Sequence, residues 1–254
     1  MTSPVNSTTT EQGRTYIWPP TGEIFTSVTT ILNVLSKPFL TKWAAKLAAE
    51  YAVENWGELT DMLIKDRQSE ALDLIKGASA RYTEEASQMG TYVHSSVENL
   101  IKGNVDEISP IQMVGFRSWQ EVYKPKFLLC ETTVYNRSEG YAGTMDFMAH
   151  IEGRNIIVDV KTGKSVYPEV ALQLCAYSHG EWYMAENNQS ENPLPRIDGA
   201  AVLHLRPRGY KYIPVRIDDE VWRSFQYIKE AYRWQKYTSK QVLGHETPML
   251  TTDW

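Results

Sequence analysis

Apolar residues recur at helical spacing from Ser27 to about Gly103. Pro38 suits the first turn of a helix, and the positions that follow it three or four residues apart are Leu40, Trp43, Ala44, Leu47 and Tyr51. The same spacing predicts a second helix over 67–87. A third is predicted over Thr91–Lys102, with Gly103 as its C-terminal cap.

The pattern then changes to alternation with a period of two, which is typical of strands. It predicts three consecutive strands over Phe127–Tyr135, Tyr141–Ile151 and Ile156–Lys161, joined by turns of sequence NRSEG and EGRN. Two further strands are predicted over Ala200–Leu205 and Lys211–Ile217. Helical spacing returns in the segments Pro168–Ala185 and Asp218–Tyr237.

This order of helices, a three-stranded meander, a helix, two strands and a helix predicts an α/β fold. We expect a small mixed sheet flanked by helices, with a helical N-terminal extension. The predicted divisions are a flexible tail over 1–13, a helical N-terminal region over 14–89, an α/β core over 90–240 and a C-terminal tail over 241–254.

Composition narrows the classes of function. Of the 254 residues, 42% are hydrophobic, with eight Trp and fifteen Tyr, which is enough for a packed core and argues against global disorder. The formal net charge of −5 argues against a protein that coats nucleic acid non-specifically, because neutralising many phosphates needs an excess of Lys and Arg. An enzyme that binds a few phosphates in one cleft remains compatible with this charge.

The two cysteines, Cys130 and Cys175, are too few for an iron–sulfur cluster or a cysteine-ligated zinc site. A disulfide framework is also not expected. No run approaches the roughly 18 apolar residues of a membrane span, and no leader-like segment stands at the N-terminus. We therefore expect a cytoplasmic location and no membrane partner.

The segment GTMDF…IIVDVKTGK carries the candidate chemistry. Residues two apart on a strand share a face, so Asp159 and Lys161 point together while Val160 points to the opposite layer. The short turn between the strands allows Asp146 to lie beside them. Two close carboxylates repel unless a cation lies between them, and hard divalent ions prefer oxygen ligands. Taken alone, such a strand end is also typical of a solvated ion pair.

The series GT-x-D, an apolar strand leading into D-x-K-T, and Q-x-x-x-Y on the next helix resembles the PD-(D/E)XK nuclease superfamily, in particular its RecB-like and phage exonuclease branch. The similar part spans about residues 90–180. The resemblance implies a restriction-endonuclease-like core and metal-dependent cleavage of DNA. It implies that Asp146 and Asp159 bind metal, that Val160 adds its backbone carbonyl, and that Lys161 is catalytic.

The same branch carries a His on an upstream helix in a G-x-x-x-H setting, which corresponds here to Gly90 and His94. The resemblance thus implies that His94 is a metal ligand, and an imidazole among oxygen ligands makes Mn²⁺ as suitable as Mg²⁺. One or two ions are expected. Glu98 lies one helical turn further and is predicted to be catalytic by orienting His94 or positioning a water; pairing with Lys102 is the alternative.

Three further residues match the family pattern. The resemblance implies that Gln173 and Tyr177, four apart on the helix after the D-x-K strand, shape the site or touch DNA. The alternative is a polar helix face with a buried ring. Glu131 matches an acid of the family on an earlier strand, and a cross-strand partner for Arg or Lys is the equal alternative.

Positive charge concentrates near the last two predicted strands. The turn RPRGYK contains no acid, and its Arg206, Arg208 and Lys211 are predicted to bind phosphates.

We therefore expect a metal-dependent exonuclease that acts on DNA with a free end, in phage-type recombination, replication or repair, with a possible partner protein from those processes. An endonuclease with the same centre and a catalytically silent DNA-binding module of the same fold are the alternatives. The missing cysteines set the chain apart from relatives that brace the fold with a four-cysteine iron–sulfur cluster. Its expected cofactors are Mg²⁺ or Mn²⁺ alone.

Overall fold

The computed structural model describes residues 6–104, 109–184 and 191–244. Within these ranges the strands are β1 (Ser7–Thr10), β2 (Gly13–Trp18), β3 (Glu23–Ser27), β4 (Lys126–Asn136), β5 (Tyr141–Ile151), β6 (Arg154–Lys161), β7 (Trp182–Met184), β8 (Glu191–Pro193), β9 (Gly199–Arg206) and β10 (Gly209–Val215). The helices are α1 (Val28–Leu32), α2 (Pro38–Glu54), α3 (Trp56–Ile64), α4 (Gln68–Lys76), α5 (Ala78–Ile101), α6 (Met113–Tyr123), α7 (Glu169–Ser178) and α8 (Asp219–Lys236).

The strands form one mixed sheet. Its centre has the order β4–β5–β6–β9–β10, in which all neighbours are antiparallel except the parallel pair β6 and β9. Beyond β4 the sheet continues through β7 and β8. The β1–β2–β3 meander joins through a short parallel contact between β3 and the start of β5. The parallel β6–β9 pair brings the C-terminal ends of both strands to the same edge.

Helices cover both faces of the central strands. Neighbouring residues on β6 face opposite ways, with Ile157 in one apolar cluster and Val158 in the other. The cluster around Ile157 includes residues of α1, α7 and α8, whereas the cluster around Val158 includes residues of α5 and α6, such as Trp119. The predicted α/β architecture with helices flanking a mixed sheet is confirmed. The sheet is larger than predicted, with ten strands within the described ranges.

The N-terminal predictions need correction. Ser7–Thr10 are not a loose tail, because this segment of one serine and three β-branched threonines pairs with β2 in an antiparallel ladder. Residues 14–27, placed in a helical region, form β2 and β3, whose rings Tyr16, Trp18 and Phe25 pack on Tyr135. Residues 1–5 of the predicted tail lie outside the described residues, as do 245–254 of the predicted C-terminal tail.

Helix boundaries also differ from the prediction. The helix predicted over 67–87 is broken at Gly77, which caps α4. Residues 78–101 then run as one helix through Gly90, so the predicted division at 89/90 falls inside α5. The helix predicted over Pro168–Ala185 ends at Ser178, because Gly180 packs against Val134 and turns the chain into β7. Ala185 lies outside the described residues, and α6 was not predicted.

The central strands, α2 and α8 were predicted to within a few residues. Among the described residues, no helix combines the length and the apolar character that crossing a lipid bilayer requires.

Candidate metal centre and active site

Strands β5 and β6 separate where the predicted acids lie. Their ladder ends at the pair Phe147–Val158, after which β6 continues against β9 and the earlier part of β5 stays paired with β4. Asp146 and Asp159 are the first residues beyond the last pair, one on each strand. We call this opening the strand fork. Asp146 Oδ2 bridges it by accepting the Val160 N–H at 2.6 Å.

Three side chains converge on one side of the fork. His94 on α5, Glu131 on β4 and Asp146 on β5 each offer a nitrogen or oxygen atom, and these atoms lie within 4.8 Å of one another. His94 Nδ1 is 3.4 Å from Asp146 Oδ1. Glu131 lies opposite Asp146, because the residue pairs on either side of it are in register. We call these residues the His–Glu–Asp group.

The backbone of Glu131 is unusual for a strand. Its φ is +46°, in the left-handed region that non-glycine residues rarely occupy. This conformation costs on the order of 1 kcal/mol, so the surrounding ladder must hold it in place. Among the described residues, no ion pair joins Glu131 to Arg or Lys. The charge of Lys102 reaches Glu131 and lowers its pKa, whereas the polar atoms closest to its carboxylate include those of His94 and Asp146.

The donors of the His–Glu–Asp group fit a divalent cation. Ligands about 2.1 Å from an octahedral ion stand about 3 to 4 Å apart, so small side-chain rotations would close the three atoms around one ion. Two carboxylates with one imidazole suit Mn²⁺ and also Mg²⁺. The group differs from the predicted ligand set, since Glu131 belongs to it and the Asp159 carboxylate lies beside it.

The charges of the group are strongly coupled. The Asp146 carboxylate raises the pKa of His94 to about 9 against the opposing effect of burial. Burial, helped by Asp146, raises the pKa of Glu131 to about 8. Burial opposes ionisation of Asp146, yet the charge and hydrogen bond of His94, the charge of Lys161 and the Val160 N–H together outweigh burial and lower the pKa of Asp146. At neutral pH His94 and Glu131 therefore both carry a proton, and these protons reduce the negative charge of the group. A bound divalent cation would neutralise that charge in their place.

Lys161 lies on the other side of the fork. Its Nζ is 2.7 Å from Asp159 Oδ2, and Gln173 Nε2 donates to Asp159 Oδ1 at 3.3 Å. Burial lowers the pKa of Lys161, but the Asp159 and Asp146 carboxylates outweigh burial and hold that pKa above its ordinary value. Burial and Asp146 raise the pKa of Asp159 to about 6. Lys161 is therefore an ammonium at neutral pH, suited to stabilising negative charge.

Gln173 and Tyr177 on α7 hold Asp159 in place from the interior of the protein. Tyr177 lies against Gly143, so close that a Cβ at Gly143 would stand 2.4 Å from the Tyr177 ring. Gln173 Nε2 lies 3.3 Å from Tyr177 Oη as well as 3.3 Å from Asp159 Oδ1. Only 3% of Tyr177 is exposed, so little of its ring is available for the predicted contact with DNA, which stays a prediction. The contacts support the alternative that Gln173 and Tyr177 shape the site.

The contact at Gly143 gives a stability prediction. Gly143→Ala should lower the free energy of unfolding by about 1–3 kcal/mol, because the added methyl overpacks the Tyr177 ring. Chemical denaturation would measure the loss. Gly57→Ala is the control, since a Cβ there meets no atom within 4 Å and alanine favours the helix. In a Tyr177→Ala background the cost of Gly143→Ala should disappear, and an undiminished cost would refute the proposed clash.

Glu98 does not join the site in the predicted way. Its carboxylate is 3.0 Å from Lys102 Nζ, one turn along α5, which is the alternative considered for it. In the described parts of the chain, no hydrogen bond or ion pair joins Glu98 to His94, although the charge of Glu98 helps to raise the pKa of Glu131. A catalytic role for Glu98 stays a prediction. The Val160 side chain is buried, as expected for the middle residue of the D-x-K triplet, and its carbonyl remains a predicted metal ligand.

The three basic residues predicted to bind phosphates separate in space. Arg206 Nη1 and His204 Nε2 donate to the Gly163 carbonyl at 2.6 and 2.7 Å, so they anchor the loop that follows β6. Arg206 also lines a cleft that opens beside Lys161. Arg208 and Lys211 are exposed around the β9–β10 turn and do not line this cleft, so their binding of phosphate stays a prediction.

A cleft of about 630 Å³ opens beside Lys161, bounded by α2, α5 and the loop 162–168. Its aromatic and basic lining, which includes Phe39, Tyr82, Lys164 and Tyr167, was missed in the sequence. The segments KPFLTKW and KTGKSVYP do interleave aromatic and basic residues. That signal becomes specific only when the fold brings the segments together.

No protein-family model and no curated protein matches the chain. Among solved structures, the chain is similar to the crystal structure of SSO0001, with 12% identity and a TM-score of 0.33 over 82% of this chain and 84% of that chain.

Proposed function

We propose that the protein is a divalent-metal-dependent DNA exonuclease of the PD-(D/E)XK type, with a restriction-endonuclease-like core. The observation that carries the proposal is the His–Glu–Asp group beside the Lys161 ammonium, at the fork of β5 and β6. A cation site next to a half-buried lysine suits phosphodiester hydrolysis, because the ion can activate a water and the ammonium can stabilise the charge that develops on the phosphate.

The residues have separate tasks in this proposal. His94, Glu131 and Asp146 would hold Mg²⁺ or Mn²⁺, which supplies Lewis acidity and lowers the pKa of a bound water. Lys161 stabilises the negative charge that develops on the phosphate, because Asp159 keeps it protonated and aimed. Gln173 positions Asp159 from the protein interior.

The shape of the cleft favours action at a strand end. Its volume of about 630 Å³ resembles that of a small-ligand pocket, so it suits one or two nucleotides. Helices α2 and α5 stand on one side of it and the loop 162–168 on the other. A terminal nucleotide can enter such a cleft next to Lys161 without the rest of the duplex following.

The test compares a supercoiled plasmid with the same plasmid made linear, each incubated with Mn²⁺, with Mg²⁺ or with EDTA. We expect the linear DNA to be degraded to nucleotides in either metal, and the circle to survive. Nicking of the circle would instead establish the endonuclease alternative. No metal-dependent loss of either form would contradict the enzyme proposal and leave a DNA-binding module.

A further inference from the structure

We infer that the cleft beside Lys161 is a binding site for unpaired bases, which makes single-stranded DNA the preferred substrate. This inference rests on the proposed function for the location of cleavage. It concerns a different set of residues, those of the aromatic cleft: Phe39 and Trp43 on α2, Tyr82 on α5, and Tyr167 in the loop 162–168.

The four rings form two pairs that join separate elements. Phe39 and Tyr167 are stacked, with ring centroids 5.4 Å apart and planes 16° from parallel. Trp43 and Tyr82 meet edge to face at 5.6 Å. Phe39 and Tyr167 stay 42% and 52% exposed, so their outer faces are open to a ligand. Open aromatic faces at a cleft provide platforms on which bases stack.

Charge in the cleft identifies the ligand as a polyanion. Lys37, Lys164 and Arg206 line it together with Lys161, whereas Glu169 is the acid among its described lining residues. Lys164 Nζ lies 5.3 Å from the Tyr82 ring centre, which puts a cation and a stacking surface side by side. Alternating phosphates and bases match this arrangement, and an apolar peptide does not.

The cleft leads to the proposed point of cleavage. Lys161 and Gln173 line the cleft and also contact Asp159 in the candidate active centre. The loop that carries Lys164 and Tyr167 is anchored at Gly163 by His204 and Arg206. The stacking surface is thus held at a set position relative to Lys161. Paired bases inside a duplex keep their faces stacked on each other, so a duplex can use the stacking surface only at an end whose bases have separated.

The experiment measures binding of a fluorescein-labelled oligonucleotide by anisotropy, with EDTA present to prevent cleavage. Single-stranded DNA should bind at least about tenfold more tightly than a blunt duplex of the same sequence. Phe39→Ala and Tyr167→Ala should each weaken single-strand binding by about tenfold and leave duplex binding unchanged. Tyr167→Trp should restore it, because the ring is retained.

Tyr227→Ala is the matched control, since Tyr227 is 75% exposed on α8 and does not line the cleft. It should bind both DNAs as the parent does. Equal binding of single strand and duplex, or full single-strand affinity in both alanine variants, would overturn the inference. Single-strand binding that depends on the two rings, without metal-dependent cleavage, would uphold the inference about the cleft and refute the proposed nuclease activity. Metal-dependent cleavage with unchanged single-strand binding in Phe39→Ala and Tyr167→Ala would support the nuclease proposal and refute the inference about the aromatic cleft.

Discussion

Lys161→Ala should lower the rate of DNA cleavage by about 10³-fold, because it removes the cation that stabilises charge on the phosphate. Metal affinity should stay close to that of the parent, since Lys161 contacts Asp159 and none of the His–Glu–Asp group. Single-turnover cleavage in saturating Mn²⁺ and calorimetric titration of Mn²⁺ would measure the two quantities separately.

The control for this variant is Lys65→Ala. Lys65 also pairs with an aspartate, Asp61 at 2.9 Å, but it lies exposed at the end of α3. Its loss should leave cleavage unchanged. A Lys161→Ala protein that cleaves at the rate of the parent would remove Lys161 from the active centre and with it the assignment of the D-x-K triplet.

Asp146→Asn should abolish both cleavage and metal binding. The substitution keeps the shape of the side chain, and the amide oxygen can still accept the Val160 N–H, so the fold should persist. It removes the charge that faces His94 and Glu131. In the parent, Mn²⁺ at about 100 times its dissociation constant should add about 2.7 kcal/mol to the free energy of unfolding. In the variant this gain should be near zero.

Chemical denaturation with and without Mn²⁺ measures that gain. Asp61→Asn, on the surface of α3, serves as the matched control and should keep the full gain. If Asp146→Asn were stabilised by Mn²⁺ as much as the parent, the ion would bind elsewhere. The His–Glu–Asp group would then be a coupled set of titrating residues and not a metal site.

The central strands were predictable because alternation of apolar and polar residues survives in each of them. The positions of Asp159 and Lys161 were predictable for the same reason, because they lie at the end of one of these strands. Glu131 could not be assigned, because its position depends on the β4–β5 register and on a positive φ that no local pattern specifies. The burial of Tyr177 follows from the absence of a side chain at Gly143, 34 positions earlier in the chain.

The aromatic cleft was the feature that the sequence pattern indicated least. Phe39, Tyr82 and Tyr167 come from three elements that are distant in sequence, and each has the appearance of an ordinary exposed or amphipathic position. Only long-range packing makes them neighbours. The N-terminal strands were missed although β2 and β3 are rich in β-branched and aromatic residues, because those strands are short and their partners lie in the meander itself and in β5.

The strand fork places the residues of the candidate centre on two strand pairs that are joined by the β5–β6 ladder below the fork. Glu131 and Asp146 are held by the β4–β5 ladder, whereas Asp159 and Lys161 are held by β6 and β9. At the fork itself, the side chain of Asp146 links the two pairs through a hydrogen bond from Val160. In the proposed enzyme, substitutions near Lys161 would therefore leave the backbone that carries Glu131 and Asp146 in place. Phosphate contacts and metal affinity would then be open to separate engineering.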